Sequence, residues 1–249
     1  MSFRLDFGEY APDQAETDTP VLVTATNVQP TVTGYRPISA PAVYSAALSG
    51  IPKGLFLARK ANGTFKAFGA TTSTLEELVS LTWTNRSGGK TFAVPSGEFA
   101  HATQFGASFI VTNYTDGPYV VNVDSGTNFA VLGGSPPKGR TIATVENHLM
   151  LGSTDNDDYE VSWSDILDAT NWSTGTSGSY SFRRGGRPRR IIPSAGKVIQ
   201  EEGIYRIVLS TQTDATFEFY ELEGFPGTIA PNSAITWGDD VAYLSQNGF

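Results

Sequence analysis

The sequence repeats one local pattern at long and nearly regular intervals: a tight turn that leads into a short hydrophobic run. Aligning the turns at Gly106, Asn147, Gly196 and Gly238 gives intervals of 41, 49 and 42 residues. A repeat of roughly 40 to 50 residues made of short strands has the length of one four-stranded propeller blade. The pattern therefore predicts an all-β fold of propeller-like repeats. A different all-β fold is the alternative, because any such fold places turns before hydrophobic runs.

The composition agrees with many short strands. The 249 residues include 26 glycines and 14 prolines, scattered along the chain as expected for strands joined by tight turns. Helical periodicity is confined to one candidate of two turns, residues 73–81. Hydrophobic residues make up 39% of the chain, enough for the core of one large domain or two small ones.

Several classes of protein are disfavoured by what the sequence lacks. It has no cysteine, which excludes disulfides and thiolate metal sites. Residues 1–6 lack the apolar run of a signal peptide, and no stretch has the length that crosses a bilayer. We therefore expect a soluble chain made in the cytoplasm, with no membrane insertion. The net charge of −8 argues against general nucleic-acid binding, which needs a basic face.

Residues 1–40 differ from the rest and are predicted to form an extended N-terminal arm, with the propeller-like domain at 41–249. Phe3, Leu5 and Phe7 alternate with polar residues, as in a short strand with one apolar face. An acidic, proline-punctuated stretch follows and leads to Tyr35 and Arg36. We expect these five residues to contact the domain or a neighbouring subunit. An ordinary first strand of the first blade is the alternative.

Strand-like runs divide the remainder into four units and the beginning of a fifth. A unit that stops after two strands leaves an open edge, which proteins rarely leave uncovered. We expect either that the chain is a fragment or that a partner or the arm completes the fifth unit. The predicted strands are 54–59, 64–69, 81–84 and 90–94; 108–112 and 119–123; 141–145, 148–151 and 159–163; 191–192, 197–201, 204–209 and 216–222; and 235–236 and 241–244.

Three patches of sequence resemble the propeller-bearing tail hub, or nozzle, proteins of short-tailed bacteriophages. Members of that family continue past a Leu-Ser-x-x-Gly-Phe segment, whereas this chain stops there. The patches are residues 5–13 with 27–37; residues 161–165 with 171–172; and residues 203–207 with 217–221, 227–231 and 244–249.

The resemblance implies a structural virion protein without catalytic residues, cofactors or metals. It implies a subunit of a homo-oligomeric ring, a hexamer, in the virion tail, assembled in the host cytoplasm. The ring would bridge to the head-tail adaptor and other tail proteins, and DNA would contact it only transiently while passing through its channel. A receptor- or glycan-binding propeller on the tail surface is the alternative, and a glycoside hydrolase is a more remote one.

One stretch carries five arginines within eight residues: Arg183, Arg184, Arg187, Arg189 and Arg190. Guanidinium groups suit carboxylates and phosphates equally well, because their planar donors match both. We expect these arginines to contact an acidic surface of a neighbouring subunit. Contact with DNA in a channel and a merely solvated loop are the alternatives.

Other groups of residues give weaker indications of a functional site. Residues 153–158 carry carboxylates spaced for a hard cation but lack the glycine and distant glutamate of an EF-hand loop, which favours a solvated turn. No spacing links any two of the candidate carboxylates of a hydrolase, and neither histidine has a second ligand nearby. Four aromatic residues, Trp163, Trp172, Tyr159 and Tyr180, are candidates for a platform that binds a sugar, but packing of these rings between blades is the stronger prediction. The residues concerned are Asp165, Asp168, Glu201, Glu202 and Glu221; His101 and His148; and Trp163, Trp172, Tyr159 and Tyr180.

Overall fold

The computed structural model describes residues 26–31, 34–210, 215–238 and 240–248. The chain divides into two compact units, Met1–Tyr44 and Ser45–Phe249. In the first unit, the described residues form one hairpin in which β1 (Val28–Thr31) pairs antiparallel with β2 (Gly34–Pro37). The prediction of an extended arm over residues 1–40 stays a prediction.

In the second unit, four antiparallel sheets of four strands follow one another along the chain. Each is a meander in which consecutive strands are hydrogen-bonded neighbours. Sheet 1 contains β3 (Pro52–Arg59), β4 (Phe65–Thr71), β5 (Leu75–Val79) and β6 (Thr82–Asn85). Sheet 2 contains β7 (His101–Phe105), β8 (Ser108–Thr112), β9 (Tyr119–Asn122) and β10 (Ala130–Val131).

Sheets 3 and 4 have the same order, and a shorter element follows them. Sheet 3 contains β11 (Gly139–Val145), β12 (His148–Thr154), β13 (Glu160–Trp163) and β14 (Gly178–Ser181). Sheet 4 contains β15 (Pro188–Ile192), β16 (Lys197–Gln200), β17 (Ile204–Leu209) and β18 (Phe217–Glu221). A single 3₁₀ turn (Pro231–Ser233) then precedes a hairpin of β19 (Ile235–Trp237) and β20 (Asp240–Ala242).

The predicted all-β class and the four-stranded units are thus confirmed. The turns used for the sequence alignment occupy one structural position: each joins the first strand of a unit to its second. All four residues have left-handed backbones, with φ of 57° at Gly106, 60° at Asn147, 54° at Gly196 and 62° at Gly238. Glycine and asparagine adopt this conformation most readily, which explains their recurrence at this position.

Two predictions in sheet 1 are wrong. Residues 73–81, the one helical candidate, contain strand β5, and residues 90–94, the predicted closing strand, form no strand. The helix prediction over residues 73–81 is wrong because Glu77, a charged residue, is buried in β5. Lys66 and Arg86 bind its carboxylate at 3.1 and 2.8 Å. This ion-paired carboxylate hides the strand from a reading based on hydrophobic alternation.

The hydrophobic core lies between successive sheets. One cluster joins sheets 1 and 2 around Phe68 and Phe109, whose rings stack at 4.9 Å. A second joins sheets 2 and 3 through Ile110 and Leu149, and a third joins sheets 3 and 4. A fourth packs sheet 4 against the segment that carries the final hairpin. The sheets are therefore stacked face to face in chain order.

The first strands of the sheets lie side by side. β7 neighbours both β3 and β11, and β11 in turn neighbours β15. Side chains near the start of these strands are consequently brought together from four different sheets. That convergence builds the cavity described below.

Candidate functional site: an arginine-lined cavity

The five clustered arginines separate into two groups. Arg183 and Arg184 are exposed on the loop between β14 and β15, whereas Arg187, Arg189 and Arg190 are half-buried at β15. The chain turns between the groups at Gly185 and Gly186, with φ of 85° and 77°. A Cβ at Gly185 would lie 1.9 Å from Gln200 Oε1, so this turn requires glycine.

Arg187 is bound to Glu201, the residue that directly follows β16 in sheet 4. Its Nε donates to Glu201 Oε1 at 2.9 Å, its Nη2 lies 2.7 Å from the same oxygen, and its backbone N–H donates to Oε2 at 3.2 Å. Burial raises the pKa of Glu201, but the hydrogen bonds and charge of Arg187 outweigh it and hold that pKa below its ordinary value. Glu201, a candidate hydrolase carboxylate in the sequence, is therefore held as the partner of an arginine.

Arg190 contacts a histidine 89 positions away in the sequence. Its Nη1 lies 2.6 Å from His101 Nδ1, and His101 is only 5% exposed. Burial, together with the charges of Arg190 and Arg189, lowers the pKa of His101 to about 3, so the ring is neutral near pH 7. A guanidinium can only donate, so Nδ1 is the acceptor and the ring proton is on Nε2.

A cavity of about 320 Å³ opens beside this pair, and we call it the arginine cavity. Arg189 and His101 line it together with Glu98, Phe99, Arg140 and residues 229–233. A second cavity of about 370 Å³ adjoins it, shares Phe99 and Asn232, and is lined by Arg190. Four first strands thus contribute cationic or imidazole side chains to one region: Lys53 comes from β3, His101 from β7, Arg140 from β11, and Arg189 and Arg190 from β15.

Arg140 is fixed on three sides. Its Nη1 lies 2.5 Å from Glu98 Oε1, its guanidinium carbon lies 3.8 Å from the centre of the Tyr114 ring, and its Nε lies 3.8 Å from Asp158 Oδ1. The last distance is too long for a hydrogen bond. Ion pairing and stacking on an aromatic face together hold the guanidinium in place.

Three buried donors in this region lack an acceptor. The Nε atoms of Arg140, Arg189 and Arg190 are each buried with no hydrogen-bond partner within the described part of the chain. Buried guanidinium nitrogens are normally hydrogen-bonded, because leaving a charged donor unsatisfied is costly. All three atoms are out of reach of solvent, so a ligand in the cavity would meet the positive charge of these guanidiniums and not their Nε–H groups.

Asp165 and His148, two other predicted candidates, have structural partners. Asp165 accepts from Thr176 and Ile166, and these hydrogen bonds, chiefly those from Thr176, lower its pKa to about 2. His148 bonds Glu146 O at 2.7 Å and Thr176 Oγ1 at 3.1 Å. Of the described residues, no group of three or more histidines and carboxylates is placed to hold a metal ion.

The predicted aromatic platform is not assembled. Trp163 is 5% exposed, packs against Phe217 between sheets 3 and 4, and donates from Nε1 to Thr176 O. Trp172 belongs to the different cluster between sheets 2 and 3, with Nε1 bonded to Ala169 O. Packing between sheets, the prediction the sequence favoured, is confirmed for these two residues.

The predicted N-terminal contact residues are only partly described. Phe3, Leu5 and Phe7 lie outside the described residues. Tyr35 and Arg36 lie on β2, where the Arg36 guanidinium donates to Gln29 Oε1 from Nε at 3.1 Å and from Nη2 at 2.8 Å. This contact closes the hairpin of the first unit.

Sequence reasoning missed Arg140 and Glu98 as members of the cavity. Glu98 precedes sheet 2 in the sequence and Arg140 follows it, 42 positions later. No local spacing therefore connects the two residues. The arginine-rich stretch was the one signal in the sequence that pointed to this region.

No protein-family model matches the sequence, and a search of curated proteins finds no significant match. Among the described residues, no helix has the length and apolar character to cross a membrane.

Proposed function

We propose that this chain is a structural subunit of the tail hub, or nozzle, of a short-tailed phage. In this proposal its sheets are the blades of a propeller-like domain, and several copies form a ring that joins the head-tail adaptor and bounds the DNA exit channel. The protein is not an enzyme, and its work is geometric. The sequence resemblance described above motivates the tail assignment.

The serial stacking of the sheets supports the propeller-like arrangement. Propeller blades are four-stranded meanders packed face to face, with their first strands around a central axis. Here each pair of successive sheets encloses its own hydrophobic cluster, and β3, β7, β11 and β15 lie side by side. A stack of this kind suits a rigid building block.

The surface we assign to the subunit contact is the loop carrying Arg183 and Arg184. Both guanidiniums are exposed, unlike those of the other three arginines. The chain carries 25 acidic residues against 17 basic ones, so a neighbouring copy presents a predominantly acidic surface. An exposed arginine pair is complementary to such a surface.

The test is the double substitution Arg183→Ser with Arg184→Ser, which removes two exposed cations without touching the buried pairs. We expect a smaller fraction of assembled ring in native mass spectrometry at equal protein concentration. The matched control is Lys90→Ser with Arg206→Ser, which removes two exposed cations elsewhere. Equal loss in both variants would contradict a specific subunit contact, and intact assembly with slower genome release would assign the loop to DNA instead.

A further inference from the structure

We propose that the arginine cavity is a binding site for an oxyanion, taken up as a free phosphate group or as the carboxylate of an acidic side chain. This site is independent of the tail assignment, because it follows from the contacts of the described residues alone.

The charges around the cavity do not cancel. Five cations around the two adjoining cavities face three carboxylates, those of Glu98, Asp158 and Glu201; the cations are Lys53, Arg140, Arg187, Arg189 and Arg190. Among the described residues no carboxylate lies within 4.0 Å of Arg190, whose polar partner is neutral His101, or of the Lys53 ammonium, which donates to the carbonyl oxygens of Pro95 and Glu98. An enclosed region with surplus positive charge favours an anion over water.

The free groups are donors. His101 Nε2 carries a proton because Nδ1 faces Arg190, and Arg189 Nη1 lies 4.0 Å from Glu201 Oε1, which is too far for a hydrogen bond; both residues line the cavity. The Arg190 charge polarises the His101 ring and strengthens this N–H as a donor. A ligand that satisfies these groups must offer several acceptor oxygens, as phosphate and carboxylate do.

The space suits a small ligand. A cavity of about 320 Å³ has room for a phosphate or carboxylate group with several waters, at about 30 Å³ of liquid volume per water. The exposed ring of Phe99 lies at its border, and residues 229–233, including the 3₁₀ turn, close another side. These walls restrict access and favour a compact anion over an extended polymer.

The experiment titrates the intact chain with sodium phosphate, and in a second arm with sodium acetate, at ionic strength held constant with sodium chloride. We expect a saturable rise of the melting temperature with at least one of the two anions, because a ligand that binds only the folded state stabilises it. The anion that reaches saturation at the lower concentration shows whether the site prefers phosphate or carboxylate. A rise that matches chloride alone, or no rise, would overturn the proposal.

Two variants locate the effect. Arg189→Lys keeps the charge but removes the planar fork of donors, and we expect an apparent dissociation constant weaker by roughly tenfold or more. Arg183→Gln removes an exposed cation from the same stretch and should leave binding unchanged. If Arg189→Lys does not fold, calorimetric titration of the unaltered chain and of Arg183→Gln decides: binding lost in Arg183→Gln, or absent in both, rejects the cavity as the site.

Discussion

Glu77 on β5 is a buried carboxylate held by two cations, Lys66 and Arg86. Removing one member of a buried ion cluster leaves the others uncompensated, which costs far more than the net value of the intact cluster. We predict that Glu77→Gln destabilises the fold by about 3 kcal/mol. Urea unfolding measures this, and Glu223→Gln, at an exposed turn, should shift the midpoint little. A cost equal to that of Glu223→Gln would show that the cluster contributes no stability.

His101 makes stability depend on pH. Its pKa is 6.5 when unperturbed and about 3 in the folded chain, so the unfolded state binds more protons between these values. Stability contributed this way is fully present above pH 6.5 and falls as the pH is lowered, by at most about 1.4 kcal/mol per pH unit.

Replacing this residue should flatten that slope. We predict that His101→Gln, whose side-chain oxygen still accepts from Arg190, loses less stability than the unaltered chain between pH 6.5 and 5. Chemical denaturation at several pH values measures the difference. The carboxylates titrate in both proteins, so their contribution to the pH dependence cancels in the comparison. Parallel profiles would mean that His101 is protonated in the folded chain, contrary to the arrangement of its Nδ1.

At the scale of elements, the turn between β7 and β8 depends on the backbone of Gly106. A Cβ there would meet no atom within 4 Å, so a side chain costs only left-handed strain. We predict that Gly106→Ala destabilises the fold by about 1 kcal/mol. Gly117→Ala is the control, because its new Cβ would make an ordinary contact with Val131 at 3.8 Å and its φ is not left-handed. Thermal unfolding that ranks the two variants equally would contradict the backbone argument.

The elements with regular local signals were predictable from sequence. The turns at Gly106, Asn147, Gly196 and Gly238 located the first hairpin of sheets 2, 3 and 4 and the final hairpin, because their backbone requirement is local. β5 escaped because two of its five residues, Glu76 and Glu77, are buried glutamates. Glu77 pairs with Lys66 and Arg86, and Glu76 accepts hydrogen bonds from Ser49 and Thr74. β14, an edge strand that consists of one glycine, two serines and Tyr180, was also missed, because it has no alternation of apolar and polar residues.

At the scale of the whole molecule, the arginine cavity shows where sequence reasoning stopped. The arginine stretch was visible, but its division at Gly185 and Gly186 was not. The partners His101, Glu98 and Arg140 come from other parts of the chain. Only the packing of first strands from separate sheets brings them together, and that packing is a long-range property.

The central claim is that the chain is a ring-forming building block whose rigidity comes from its stacked sheets. Native mass spectrometry of the purified chain tests this most directly, because one chain has a mass of 26.7 kDa and any ring is a whole multiple of it. We expect one dominant closed oligomer, and the phage resemblance implies six copies. A 26.7 kDa species alone at every concentration tested would contradict it.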